Sequence, residues 1–173
     1  YGGETAETFR SEAYLERLNN PTDWSNKVQP TFRNFLRVAC ERVASSGVGD
    51  GGAMATVRLD FADGAGEAEL RAHADALVTT LSGVTGACGA HVGLARREIS
   101  GVKTRETELR PGMAEKEFDV VVLVEGRGVP ELRASVGDIE AAIWGSGCGL
   151  TAPATIVYAL AYQLTADDMC ADR

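Results

Sequence analysis

The chain has 173 residues, 45% of them hydrophobic and 24% charged, with a formal net charge of −8. That composition supplies enough apolar side chains for a globular core. The acidic balance disfavours nucleic acid and anionic lipid surfaces as partners, since both carry phosphate. No apolar run approaches the length of a membrane span.

The cysteines, Cys40, Cys88, Cys148 and Cys170, form neither a CxxC pair nor a Cys/His ligand spacing. Reduced thiols in a cytoplasmic protein are the expectation, with no metal site. The chain opens on Tyr1 rather than Met, as expected where an upstream piece has been removed. No charged-then-apolar leader is visible.

Residues 1–47 are expected to be helical. Phe9, Ala13, Tyr14 and Leu18 form a short apolar stripe, and "NNPTDW" breaks the chain with turn chemistry. Pro30 suits the first turn of a second helix, in which Phe32, Phe35, Leu36, Ala39 and Val43 follow a helical period and Gly47 is the stop. Arg37 and Glu41 would pair on its outer face. "GVGDGG", residues 47–52, is expected to be a permissive linker, so residues 1–52 form a helical extension that docks on the remainder of the chain.

From residue 53 the pattern changes. "AMATVRLDF" alternates, with Ala55, Val57, Leu59 and Phe61 on one side and Met54, Thr56, Arg58 and Asp60 on the other. A helix comes next, with Leu70, Ala74, Leu77, Val78 and Leu81 on one face and Gly83 at its end. "GACGAHVGLA" supplies a second strand. The mixed-charge segment 96–117 is expected to be a solvated hairpin or loop that can act as a lid. "FDVVVLVE" makes a third strand, "VPELRASVGDIEAAIW" a helix, and "ATIVYALAYQL" a last strand. "ELRA" occurs at 69–72 and again at 131–134, in the opening turns of both helices, which suggests an internal pseudo-repeat. The order strand, helix, strand, strand, helix, strand predicts an α+β ferredoxin-like domain over 53–165, one antiparallel four-stranded sheet covered by two helices. Residues 166–173 form a tail.

Two helices cover one face of such a sheet, and the other face needs a partner or must be polar. The second face is expected to carry Met54, Thr56, Arg58 and Asp60 with Ala87, Gly89, His91 and Gly93. The third and fourth strands are apolar in both phases, so the facing of Glu125, Tyr158 and Tyr162 stays open. A face this mixed suits pairing with a second copy around a pocket.

The βαββαβ order, "GAHVGL" in the second strand and "YALAYQLT" in the last resemble the dimeric α/β-barrel superfamily over residues 53–165. "NNPTDW" and "TFRNFLRVA" resemble the N-terminal helical extension of bacterial members. The resemblance implies a homodimer or higher homo-oligomer enclosing a small organic ligand. Characterised relatives include ether-degradation-type proteins, antibiotic-biosynthesis-type monooxygenases, muconolactone isomerases and haem-handling enzymes; no residue pattern here selects one of them.

His91 is the leading catalytic candidate, because an imidazole facing a pocket can act as general base or acid. The competing account of its glycine-rich surroundings is a bulge or a close backbone approach. Arg58 on the same face could hold a carboxylate or enolate, or else pair with Asp60, Glu125 or a partner-chain carboxylate. Thr56, Glu125, Tyr158, Tyr162 and Trp24 are candidate substrate-binding residues, Trp24 alternatively anchoring the helical arm. His73 is expected at a helix margin, and "GSGCGL" to be a helix stop rather than a phosphate loop or a nucleophile elbow. Cys148 lacks a base nearby in sequence. The functional expectation is a cofactor-independent isomerase, lyase or monooxygenase acting on a small aromatic or carbonyl-bearing molecule. The alternatives are a non-catalytic small-molecule-binding or assembly protein and a haem-binding protein.

Overall fold

The computed structural model describes residues 11–33, 38–100, 104–109 and 118–161, which fall in two compact units. The first takes residues 1–41 and 95–117, the second residues 42–94 and 118–173.

In the first unit, helices α1 (Glu12–Asn19) and α2 (Asp23–Val28) start at hydroxyl caps. Ser11 Oγ accepts from the Tyr14 N–H and Thr22 Oγ1 from the Ser25 N–H, so orphan amides of each first turn are satisfied. The charged segment after residue 95 is not simply a loop. It contains short helices α4 (Arg97–Ser100) and α5 (Arg105–Glu108), the latter opened by the Thr104 N–H donating to Thr107 Oγ1 at 2.9 Å. Gln29 Nε2 donates to Glu106 Oε1 at 2.7 Å and the Arg105 N–H donates to Asn19 Oδ1, tying this segment to the N-terminal helices. Glu106 and the Arg105 amide therefore make polar cross-links rather than only facing solvent.

The second helix expected to run on to Gly47 does not do so: residues Cys40–Gly47 form strand β1. Glu41 accordingly pairs with Arg96; its expected partner Arg37 lies outside the described residues.

The second unit is built on an antiparallel open sheet of five strands in the order β1-β3-β4-β2-β5, with β2 Ala53–Leu59, β3 Ala87–Ala95, β4 Val120–Gly126 and β5 Thr155–Ala159. One more strand is present than the sequence suggested. β1 lies against β3 in opposite direction: Ser45 is bonded to His91, while Val48 just beyond β1 donates to the carbonyl of Cys88 earlier in β3. Helix α3 (Glu67–Ser82) buries Leu70, Ala74, Leu77, Val78 and Leu81, the stripe that its 3.6-residue period defines, and Gly83 caps it. The helix expected over 129–144 is broken into α6 (Val129–Ala134) and α7 (Val136–Trp144). At the break Ser135 is buried, and its hydroxyl donates to the Thr85 carbonyl at 2.8 Å. Leu132, Ile139 and Ile143 are buried, whereas Val136 at the start of α7 is only half-buried.

The core lies between these helices and one sheet face: Ala53, Ala55, Val57 and Leu59 from β2, Ala90, Val92 and Leu94 from β3, Val120, Val122 and Val124 from β4. "GSGCGL" is a helix stop and connector, as its composition suggests; Gly145 caps α7, Cys148 is buried and Leu150 bridges to Phe61.

Candidate functional site

The alternate residues of the strands define the second face, and cross-strand register settles who stands beside whom. Thr56 on β2 pairs with Leu123 on β4, which pairs with His91 on β3; Ile156 of β5 lies on the other side of Thr56. One row along, Met54 pairs with Glu125 and with Tyr158, and Glu125 pairs with Gly89. Directly opposed residues share a face, so Glu125 and Tyr158, whose facing was open, stand with His91, Thr56 and Met54.

Glu125 is the diagonal neighbour of His91, within reach of a long side chain. His91 Nε2 lies 3.1 Å from Glu125 Oε1 and His91 Nδ1 lies 2.9 Å from Ser45 Oγ. A carboxylate only accepts hydrogen bonds, so Nε2 carries a proton in this pairing, and Nδ1 faces the Ser45 hydroxyl. The other carboxylate oxygen, Oε2, accepts from the Gly51 N–H at 3.2 Å. Side-chain exposures of 26% for His91 and 19% for Glu125 leave the pair in touch with solvent without being fully solvated.

"GVGDGG" is thus not a slack linker. It carries the chain from β1 to β2 across the end of the sheet. A side-chain carbon at Gly89 would stand 3.1 Å from the Gly49 nitrogen, and one at Gly47 (φ +88°) 2.4 Å from the Cys88 carbonyl oxygen. The small residues before His91 therefore admit the crossing backbone, and the register of β3 slips between Ala87 and Gly89. Close backbone approach accounts for these glycines; space for a ligand lies elsewhere.

That space is a cavity of about 400 Å³ lined by Asp50, Gly51, Met54, Glu125, Tyr158 and Leu160, among others. His91 is not in its wall. Glu125 is, so one residue both bonds the imidazole and lines the cavity. Comparisons with protein-family models, curated proteins and solved structures gave no match.

The remaining candidates separate. Arg58 lies on the same face, paired with Val121 two residues along β2 from Thr56, and is exposed. Strand spacing puts its backbone about 12 Å from that of His91, and it does not line the cavity. Trp24 sits on α2 in the first unit, 73% exposed. Tyr162 lies outside the described residues. His73 is on the exposed side of α3, its Nδ1 bonded to the Glu69 carbonyl. Among the described residues no group of three or more His, Cys, Asp or Glu side chains could hold a metal ion, and no helix is long and apolar enough to cross a membrane.

Burial lifts the half-buried Cys88 thiol and the buried Cys148 thiol above their usual 9.0. For Cys88 the nearby Glu125 and Asp50 charges add to burial, opposed by Arg127. Protonated thiols are poor nucleophiles, which counts against Cys148 as a catalytic candidate. Sequence reasoning missed Ser45 and Gly51. Neither carries a local signal, since each acts only because β1 and its following loop are folded against β3 and β4.

Proposed function

We propose that the chain handles a small organic molecule on the open sheet face, without a cofactor, and that the His91–Glu125 pair moves a proton there. The observation that carries this reading is the division of the Glu125 carboxylate: one oxygen on the imidazole, the other on the Gly51 amide at the wall of the cavity. A carboxylate so placed can take a proton from a molecule in the cavity. The neighbouring imidazole holds the carboxylate in position through its Nε2–H, and the negative charge that the transfer creates rests on the substrate. Isomerase, lyase and cofactor-independent monooxygenase chemistry can each begin with such a step on a carbonyl-bearing or aromatic substrate. Arg58 would meet the negative end of a substrate long enough to reach it.

The strand order β3-β4-β2-β5, with α3 and the α6–α7 pair on one face, supports a ferredoxin-like reading of the second unit, with β1 added at the edge. In the same reading two copies pair through their open faces as a dimeric α/β barrel. A second reading, a non-catalytic assembly protein, is favoured by the apolar side chains this face exposes, Ile156 at 45% and Tyr158 at 49%.

The test is proton exchange into deuterated water from a panel of small aromatic ketones and aldehydes, followed by NMR. The proton-handling reading expects exchange with some member, lost in His91→Ala and Glu125→Gln proteins that melt as the parent does. Exchange indifferent to both substitutions, or none with any compound, overturns it and leaves the assembly reading.

A further inference from the structure

We infer that the cavity beside Glu125 is a binding site for a small organic cation, an alkylammonium with an apolar or aromatic body. The inference rests on the small-molecule role proposed for the same cavity and names the ligand class. Both charged residues of the wall, Asp50 and Glu125, are carboxylates, and no Lys, Arg or His lines it among the described residues. The rest of the wall is mostly apolar, with Met54 and Leu160 as the large aliphatic side chains and Tyr158 as an aromatic one. Anions are refused by such a wall, and a strongly hydrated inorganic cation gains nothing from its aliphatic part. An ammonium whose substituents bury against Met54 and Leu160 gains from both, and an aromatic ring adds attraction for the charge.

Three further observations point the same way. Glu125 is fixed at both oxygens, on His91 and on the Gly51 amide, so its charge is pre-positioned at little conformational cost to a ligand. Burial first, and then the charges of Glu125 and Asp50, hold the Cys88 thiol up against the opposing Arg127. The chain as a whole carries a net charge of −8, which favours cations over anions around it. Arg58, the cation on this face expected to receive a substrate's negative end, is not part of the wall.

The experiment compares benzyltrimethylammonium with benzoate, which share the ring and differ in the sign of charge, by amide-resolved NMR titration of the whole chain. The ammonium is expected to give saturable shifts at Gly51, Met54 and Ala159, and benzoate to bind at least about tenfold more weakly. Glu125→Gln is expected to weaken the ammonium about tenfold and to strengthen benzoate, whose repulsion it relieves. Tyr158→Leu weakens it about threefold to fivefold while Tyr158→Phe retains it, which keeps the test open if the Glu125 variant fails to fold. Benzoate binding as tightly as the ammonium overturns the inference, as does ammonium binding indifferent to Glu125→Gln and Tyr158→Leu, or no saturable shift with either probe. Proton exchange that depends on His91, found without ammonium binding, removes this inference alone. Ammonium binding without proton exchange removes the catalytic reading and keeps the cation site.

Discussion

The two faces of the sheet are made by alternate residues of the same strands and have little else in common. On the covered face of β3, Ala90, Val92 and Leu94 join a core that β2 and β4 complete with valine, alanine and leucine. On the open face the same strand presents Gly89 and His91, one admitting a crossing backbone and the other bonded to Ser45 and Glu125. The covered face is held by apolar burial, which is non-directional, so its tolerance is set by volume. The open face is held by directed hydrogen bonds and one close backbone approach. Stability and chemistry are thereby assigned to opposite sides of a single layer.

This contrast can be broken first on the covered side. Leu132 is fully buried, its side chain in the place that a larger residue at Gly126 would need, and Leu132→Ala should cost about 3 kcal/mol in urea unfolding. On the open side Gly89→Val would drive a branched side chain into Gly49 and should cost about 2 kcal/mol, with the amides of the 47–52 loop disturbed. Adjacent residues of β2 give a sharper comparison. Val57→Thr buries a hydroxyl and should cost about 1.5 kcal/mol, whereas Thr56→Val, one residue away on the open face, should stay within about 0.5 kcal/mol of the parent. Equal costs at the two positions would contradict the division of faces.

The thiols give a smaller effect with a defined sign. Burial holds the Cys148 thiol above its usual value in the folded chain, so on raising the pH the unfolded chain loses that proton first. The contribution of Cys148 is therefore complete below the ordinary thiol range and is lost as the pH rises above about 9. Urea midpoints should fall between pH 8 and 10, and Cys148→Ala should flatten that fall. A midpoint that rises over the interval would contradict the assignment.

The covered face was legible because period and burial coincide. The stripe Leu70, Ala74, Leu77, Val78, Leu81 and the alternation of "AMATVRL" each admit one solution. β1 was not legible: "ACERVASSG" is poor in strand formers, and Ala39 and Val43 extend the helical period of Phe32, Phe35 and Leu36. Pairing with β3, a tertiary effect, decides its conformation. His91 and Thr56 could be placed from alternation alone, whereas "VVVLVE" is apolar in both phases except for its last residue. Only the register Met54–Glu125–Gly89 fixes Glu125 beside His91. The break at Ser135 was hidden for a similar reason, since its hydroxyl finds a carbonyl at Thr85, fifty residues away in sequence.

The central claim is that Glu125 joins His91 to the cavity, and amide shift mapping of His91→Ala tests it most directly. Loss of the imidazole frees one oxygen of Glu125. The structure therefore predicts shifts at Gly51, which the other oxygen holds, and at Met54, its cross-strand neighbour, with Arg58→Ala leaving both in place. Shifts confined to the immediate neighbours of His91 on β3 and β1, with Gly51 and Met54 unmoved, would contradict it.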